Sequence, residues 1–411
     1  MTNDRAVGIH DLSFRTGSLV LTHAELSKHT GASVAKYHKG LGQQAMSLPA
    51  ADEDIVTMAA DAAAPIIERH GTDRICTLLF ATETSIDQSK AAGVYVHSLL
   101  NLPSNIRVVE LKQACYGATA ALQFAAALVQ REPEQQVLVL ASDIACYDLD
   151  SPGEATQGAA AVAMLVSVDP SLVEINTPSG LYTHDVMDFW RPNYRATALV
   201  NGKKSMAAYL AAVEGAWHDY QAREGLSIEK IRTVCYHQPF TRMAFKAHRH
   251  LLDTAGVEAD ATATDHAIAP TTHYNEIIGN SYTASLYLAL ASLLDAEDEL
   301  DAETLGFFSY GSGSVAEFFT GRVVPGYRAQ LRTTAHLEAI SRRRDIDYNA
   351  YRRVHTQPLP DDGSQHRLPH QTQGSFRLSG MEDHQRIYEA VHVSADIACS
   401  KGTHRRLTPT V

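Results

Sequence analysis

A chain of 411 residues with 45% hydrophobic and 20% charged residues can bury a sizeable core, which excludes global disorder. Its net charge of −12 argues against a nucleic-acid partner, and no apolar run reaches the roughly 18 residues of a membrane span. The five cysteines, Cys76, Cys115, Cys146, Cys235 and Cys399, make no CxxC pair, so neither a disulfide framework nor a zinc ribbon is indicated and a cytoplasmic protein is expected.

Residues 7–14 read as a first strand, followed by short helices over 21–26 and 34–39. Over 52–69, Ile55, Met58, Ala59, Ala62, Ile66 and Ile67 recur at helical spacing, with acids at the start and Arg69 at the end, as the helix dipole prefers. Residues 75–81 are continuously apolar, the pattern of a strand buried on both faces. That strand runs into Glu83, where a carboxylate is costly unless it is solvated, paired or used. Taken alone, Glu83 is most simply a solvated loop residue. A helix is expected over 90–100, then a strand around Val108 to Leu111 that enters Ala114-Cys115, and a small-residue helix from Gly117. A thiol at that junction sits at the positive end of the helix dipole, which favours thiolate. The small Gly117 and Ala118 leave room for a thioester to approach the backbone. The plainer reading of Cys115 is a buried, inert thiol.

Strands follow over 136–141, 158–166 and 172–175, with a loop over 143–150 and an irregular, aromatic-rich loop over 184–192. An amphipathic helix covers 205–223, and a strand over 230–236 runs into His237. A helix carrying Met243, Lys246 and Leu251 precedes a turn-rich stretch over 256–274. Gly279-Asn280-Ser281 then opens a helix over 282–294, and strands over 305–310 and 315–323 flank the turn 311–314. A helix is expected over 327–344, a mobile surface segment over 356–373, a last strand over 376–379 and disorder over 398–411.

Three segments recur in order. DRICTLLFATET (73–84) is similar to EKIRTVCYHQPF (229–240); CYGATAALQFAAALV (115–129) to NSYTASLYLALASLL (280–294), with Asn280 in the place of Cys115; and QVLVLASD (136–143) to TLGFFSYG (304–311). Two halves on one strand–helix–strand plan predict a pseudo-two-fold pair, with a site where corresponding strand ends meet. Glu83, Cys115, His237, Asn280 and the turn 311–314 then converge. A cysteine can hold an acyl group, a carboxylate can deprotonate the carbon beside the thioester, and an imidazole can polarise a second carbonyl. N–H groups of 311–313 and of Tyr116-Gly117 are candidates for developing oxyanions. The sum is carbon–carbon bond formation between two acyl thioesters. Against it stands the simpler view of His237, one of 20 histidines, as a structural strand cap.

The segments ATETSIDQSKAAGVYVHSLL (81–100), ELKQACYGATAALQ (110–123), GEATQGAAAVAML (153–165), HDVMDFWRPNY (184–194), YHQPFTRMAFKA (236–247), GNSYTASLYLALASLL (279–294) and FFSYGSGSVAEFF (307–319) together resemble 3-hydroxy-3-methylglutaryl-CoA synthases of the bacterial mevalonate type, in the thiolase superfamily. The resemblance runs over 8–389. It implies an α/β fold, the thiolase-like five-layer αβαβα sandwich of two pseudo-two-fold-related halves: 1–172 with the nucleophile, 173–389 with the catalytic His and Asn, and a disordered tail over 390–411. It implies condensation of acetyl-CoA with acetoacetyl-CoA, followed by thioester hydrolysis, on the route to isoprenoids. Cys115 then takes the acetyl group, Glu83 is the general acid/base, and His237 polarises the acetoacetyl carbonyl. Asn280 lies near that acyl chain, Tyr147, Thr156, Ser205 and Ser312 lie around the acyl groups, and Lys246 lies near the CoA. No metal or prosthetic group is implied. The expected partners are CoA thioesters and a second copy of the chain, with no nucleic acid or membrane. Two departures stand out: the acid common in relatives near Ala32 or Ser33 is absent, and Arg242 replaces a frequent lysine. The alternative is a related enzyme acting on acyl-carrier-protein thioesters in polyketide β-branching. Arg242, Lys246, His248 and Arg249 would form its basic dock, or equally hold CoA phosphates. A non-catalytic scaffold of the same fold would be favoured had Glu83, Cys115 or His237 been lost.

Overall fold

The computed structural model describes residues 5–258, 260–357 and 359–391; of the tail expected over 390–411, everything from residue 392 lies outside the described residues. The first half runs β1 (Val7–Thr16), β2 (Leu19–Thr22), α1 (His23–Thr30), β3 (Ala45–Leu48), α2 (Ile55–His70), β4 (Ile75–Ala81), α3 (Ala92–Leu99), β5 (Arg107–Leu111), α4 (Gly117–Arg131), β6 (Gln136–Ile144) and β7 (Ala159–Val168). The second runs β8 (Val173–Ile175), β9 (Gly180–Thr183), β10 (Phe189–Trp190), β11 (Leu199–Val200), α5 (Gly202–Ala222), β12 (Thr233–Tyr236), α6 (Arg242–Thr254), α7 (Ala261–Ile268), α8 (His273–Ile278), α9 (Ser285–Ala296), β13 (Thr304–Gly311), β14 (Val315–Val323) and α10 (Thr333–Ser341). The chain closes with β15 (Arg344–Asp345), α11 (Tyr348–Thr356), β16 (His366–Arg367), β17 (Phe376–Glu382) and β18 (Gln385–Ala390).

The main sheet has the order β12-β13-β14-β8-β1-β7-β6-β4-β5, with β9 added on β14. Outward from the β1–β8 seam, β1-β7-β6-β4 is mirrored by β8-β14-β13-β12. Hydrogen-bond sense repeats too: β4–β6 and β12–β13 are parallel, β6–β7 and β13–β14 antiparallel. The sequence repeat thus maps onto β4 with β12, α4 with α9, and β6 with β13.

Side-chain alternation sorts the layers. Leu79 and Ala81 of β4, Val139 of β6 and Phe307 of β13 face a core filled by α4 and α9. Their neighbours Leu78, Phe80 and Leu140 face α2 and α3, while Val234, Tyr236 and Phe308 face α5 and α6. The result is helices, sheet half, α4 with α9, sheet half, helices: a thiolase-like α/β sandwich. Strands covered on both faces need no polar face, which is why they read as unbroken apolar runs. Every residue from Ser285 to Leu294 of α9 is buried, as befits a helix enclosed on all sides.

Several expectations need correction. The helix expected over 21–26 starts late, because Leu19–Thr22 pairs with β3 and Thr22 caps α1 by accepting from the Glu25 N–H. Residues Lys36–Leu41 wind as a π-helix. Of the stretch 256–274, the part from Ala261 onward is helical, not turn-rich: Asp260 caps α7, and the buried pair Thr264 and Ile268 was masked by polar neighbours. The helix expected over 327–344 is a short 3₁₀ turn, Tyr327–Gln330, followed by α10. The last strand over 376–379 lengthens into the β17–β18 hairpin. Residues 344–390 return to the first half. β15 pairs with β2, Tyr348 and Tyr351 of α11 pack with Leu26 of α1, and the Leu378 N–H bonds the Asp52 carbonyl at 2.9 Å. Among the described residues no helix is long and apolar enough to cross a membrane.

Leu288, fully buried in α9, touches the layer shared by both halves. Leu288→Ala is expected to cost about 2–5 kcal/mol, read by chemical denaturation; a cost below about 1 kcal/mol would mean that the shared layer is not tightly packed.

Candidate active site

β5 delivers the chain into a tight turn in which Ala114 adopts φ +44°, a left-handed conformation rare for a residue with a side chain. The turn is over-determined, as such strain requires. Tyr116 N–H bonds the Gln113 carbonyl, Gln113 Nε2 reaches the Ser312 carbonyl at 3.2 Å, and Tyr116 Oη donates to buried Glu317 at 2.7 Å. Cys115 is thereby fixed at the head of α4, 8% exposed. A Cβ at Gly117 would make ordinary contacts with Leu111 O, Ala81 and Thr283 at 3.4–3.6 Å.

Glu83 follows β4 in the neighbouring turn, and Cys115 Sγ donates to its Oε2 at 3.4 Å. Its backbone is held from two sides. Glu83 N–H and Thr84 N–H each reach Asp143 Oδ1 at 2.8 Å, and Arg191 donates to the carbonyls of Glu83 and Thr84 at 3.0 and 2.6 Å. Asp143, at the end of β6, is fully buried and also accepts from the hydroxyls of Thr82, Thr84 and Thr283 and from Thr283 N–H. Those donors replace the water that a buried carboxylate loses. Thr283 stands just before α9, so this carboxylate joins the two halves at their strand ends.

Electrostatics reverse one expectation. Burial, with Asp143 adding to it, pushes Glu83 up to about 8. Burial, then Glu83, then Asp143 raise the Cys115 thiol well above its ordinary value. A helix N-terminus is worth about 0.3–1 kcal/mol, whereas full burial shifts a group by up to about 3–5 pH units, so burial wins. The resting sulfur is a thiol and not the ready thiolate expected from its place on α4.

His237 follows β12. Its N–H bonds the Phe308 carbonyl at 2.9 Å, and Tyr209 Oη donates to its carbonyl at 2.6 Å. Burial lowers the imidazole to about 3, so it is neutral, and its buried Nδ1 has no partner among the described residues. Asn280 comes from the adjoining turn, where Gly279 at φ +92° lies so near the Gln157 carbonyl that a Cβ would sit 2.0 Å from it. This close approach lets Asn280 N–H bond the Thr156 carbonyl at 2.9 Å.

Cys115, His237, Asn280, Tyr147, Thr156, Ser205 and Ser312 line one cavity of about 250 Å³, floored by Phe189 and Tyr282. Glu83 lines an adjoining cleft of about 670 Å³, which meets the cavity at Phe189 and Ser312, the residues that border both. Lys246 is not in the wall. It is exposed on α6 above the ring of Phe240, with Nζ 4.0 Å from Met206 Sδ, and both of those residues are cavity residues. Arg242 lies beside Gly42 and stacks on Phe245. Of the expected N–H donors, Tyr116 and Gly117 are spent on Gln113 and Ala114, and Gly313 on Asp188 at 3.0 Å. Among the described residues neither the Cys115 nor the Ser312 N–H bonds a carbonyl in these turns, and the Cys115 N–H lies against its own sulfur.

Asp143, Asp188 and Arg191 were not singled out from the sequence. Asp188 accepts from Tyr310 Oη at 2.6 Å as well as from Gly313. Asp143 carried the same signal as Glu83, a carboxylate ending an apolar strand; Asp188 and Arg191 sat inside the quoted HDVMDFWRPNY segment.

Two family models match the chain, hydroxymethylglutaryl-coenzyme A synthase N terminal over 3–171 and C terminal over 249–361. A hydroxymethylglutaryl-CoA synthase of Enterococcus faecalis is 37% identical, covering 87% of this chain and 93% of the relative. A polyketide biosynthesis 3-hydroxy-3-methylglutaryl-ACP synthase of Bacillus subtilis is 32% identical, covering 84% and 87%. A crystal structure of an HMG-CoA synthase complexed with CoA superposes with a TM-score of 0.90 at 38% identity, covering 94% of this chain and all of that one.

Because folding raises Glu83 from 4.5 to about 8, its protonated form favours the fold: that contribution is complete below pH 4.5 and is lost as pH rises through about 8. Glu83→Gln, which cannot ionise, is expected to gain in Tm over the parent as pH rises from about 5 to 9. A Tm difference independent of pH would show that Glu83 titrates normally.

Proposed function

This chain belongs to the hydroxymethylglutaryl-CoA synthase family, and we propose that its acyltransferase reaction runs through an acetyl group carried on Cys115, joining acetyl-CoA to acetoacetyl-CoA. The observation that carries this is the Sγ–Oε2 contact of 3.4 Å at the edge of a cavity that also holds His237 and Asn280.

Cys115 attacks the acetyl thioester, and its proton passes by way of Glu83 to the departing CoA sulfur. A carboxyl group titrating near 8 suits that relay, because the best acid/base lies close to working pH. Glu83 as carboxylate then takes a methyl proton from acetyl-Cys115. The carbanion adds to the ketone carbon of acetoacetyl-CoA, and the alkoxide formed receives that proton. Neutral His237 polarises the ketone by hydrogen bonding, the use that a depressed imidazole allows. Asn280 orients the same acyl chain. In this scheme the N–H groups of Cys115 and Ser312 are the donors offered to the thioester oxygen, and Tyr147, Thr156 and Ser205 shape the pocket. Water finally cleaves the bond to Cys115 and releases 3-hydroxy-3-methylglutaryl-CoA. Thiol, carboxylate, imidazole and N–H donors suffice, so the scheme calls on no metal or prosthetic group.

The carrier-protein alternative finds less support. His248 is buried with Nδ1 3.1 Å from Tyr236 Oη, and Arg249 pairs with Asp265 of α7. Only Arg242 and Lys246 of the expected basic dock remain near the cavity residues, which suits phosphate groups of CoA better than an acidic protein face. A cytoplasmic homodimer serving the mevalonate pathway belongs to the same reading. The exposed edge strand β5 offers one place for a second copy.

With acetyl-CoA as donor, acetoacetyl-CoA is expected to be consumed in preference to an acetoacetyl carrier protein; the reverse preference would establish the alternative. Cys115→Ala should abolish the acetyl mass shift on incubation with acetyl-CoA. Glu83→Ala should still reach that shift on long incubation, more slowly because the proton relay is lost, while condensation falls by about 10²–10⁴-fold. His237→Ala should raise the KM for acetoacetyl-CoA more than it slows acetylation; equal damage to both steps would remove His237 from its role.

A further inference from the structure

The turn that carries Glu83 has a second anchor, supplied from more than 290 residues away by the hairpin β17–β18. Asp87 lies four residues beyond Glu83 and lines the same cleft. Its Oδ2 accepts from Tyr95 Oη of α3 at 2.9 Å, and its Oδ1 lies 3.8 Å from Arg386 Nε of β18. Tyr388, two residues on and so on the same strand face, packs its ring 5.2 Å from that of Tyr95 and donates to Asp54 at the cap of α2. The Arg386 side chain is only 14% exposed, and its buried Nε and Nη1 have no hydrogen-bond partner among the described residues. A nearly buried guanidinium left without hydrogen bonds is costly, and its compensation here is the charge of Asp87.

We propose that Arg386 is a positioning residue: from β18 it holds Asp87, and through the short turn 83–87 it keeps the Glu83 carboxylate against Cys115 Sγ. The near end of the turn is fixed by Asp143 and Arg191. Between the anchors Ser85 adopts φ +55°, tied by its N–H to Thr82 Oγ at 3.2 Å, so displacement of Asp87 is passed along a taut segment. Among the described residues the carboxylate end of Glu83 takes a hydrogen bond from the Cys115 thiol alone, so its place depends on the turn's course. Asp54 shares the field of Arg386, which leaves the cation between two acids, one on a rigid helix cap and one on the catalytic turn. The inference rests on the proposed role of Glu83 as the base.

The test reads Cys115 itself. Glu83, Asp143, Asp188, Arg191, Tyr147 and Tyr282 face the thiol or its partner carboxylate, and only the distance to Glu83 should change when the clasp is loosened. The rate of iodoacetamide alkylation of the Cys115 peptide is measured against pH by mass spectrometry. In Arg386→Gln the midpoint is expected to fall by about half a pH unit or more, because the carboxylate that suppresses the thiolate has moved away. Asp87→Asn should give the same shift, and the double variant no more than either alone. Arg386→Lys, which keeps a charge where no fork is used, should restore the parent profile. Condensation should drop about tenfold in Arg386→Gln and Asp87→Asn with the KM for acetoacetyl-CoA little changed. An unchanged alkylation profile in folded Arg386→Gln and Asp87→Asn would overturn the proposal. Should the parent enzyme fail to condense acetoacetyl-CoA, the functional reading would fall while the alkylation profile still decided the clasp.

Discussion

One buried carboxylate holds the site together. Asp143 draws in six donors, from Thr82, Glu83 and Thr84 in one half and from Thr283 in the other. A charge taken from water is tolerable only when its lone pairs are fully occupied, so every donor must be in register. That demand fixes the end of β4, the end of β6 and the entry to α9 relative to one another. The same charge reaches Glu83 and Cys115 and raises both. Structure and reactivity therefore share one cause.

The consequence is a site that stores protons and not charge. A thiol, a carboxyl group of raised proton affinity and a neutral imidazole come together where the cavity adjoins the Glu83 cleft. Of the three, Glu83 lies close enough to neutral pH to exchange protons with a substrate at little cost, while His237 stays a neutral hydrogen-bond donor, a division that alternate acyl transfer and carbon–carbon bond formation can use. A preformed thiolate would meet the first step alone and would repel the carboxylate needed for the second.

Much of this architecture was legible in the chain. Fully apolar runs at 75–81 and 136–141 announced strands covered on both faces, and the three-part repeat placed Cys115 opposite Asn280, with Glu83 and His237 each following the corresponding strand of its half. What stayed hidden has specific reasons. The helix Ala261–Ile268 is short and polar, with too few buried positions to show a period. The hairpin β17–β18 packs against the first half through contacts 325 and 334 residues apart, and helix α11 through one 197 apart, which no local pattern records. The protonated state of Cys115 depends on burial by elements that the helix-dipole argument does not include. Asp143 was visible as a carboxylate at a strand end, yet its function lies in an arrangement of donors from both halves.

The account stands most directly on whether Glu83 withdraws a proton from an acetyl group held by Cys115. Incubating the enzyme with acetyl-CoA in D₂O, without acetoacetyl-CoA, and weighing the Cys115 peptide reads deuterium entering the acetyl methyl. The account predicts exchange that rises with pH through a midpoint far above the ordinary carboxylate range, near 8, and vanishes in Glu83→Gln while acetylation persists. Exchange of equal rate in Glu83→Gln, or an acetyl group found elsewhere than on Cys115, would contradict it.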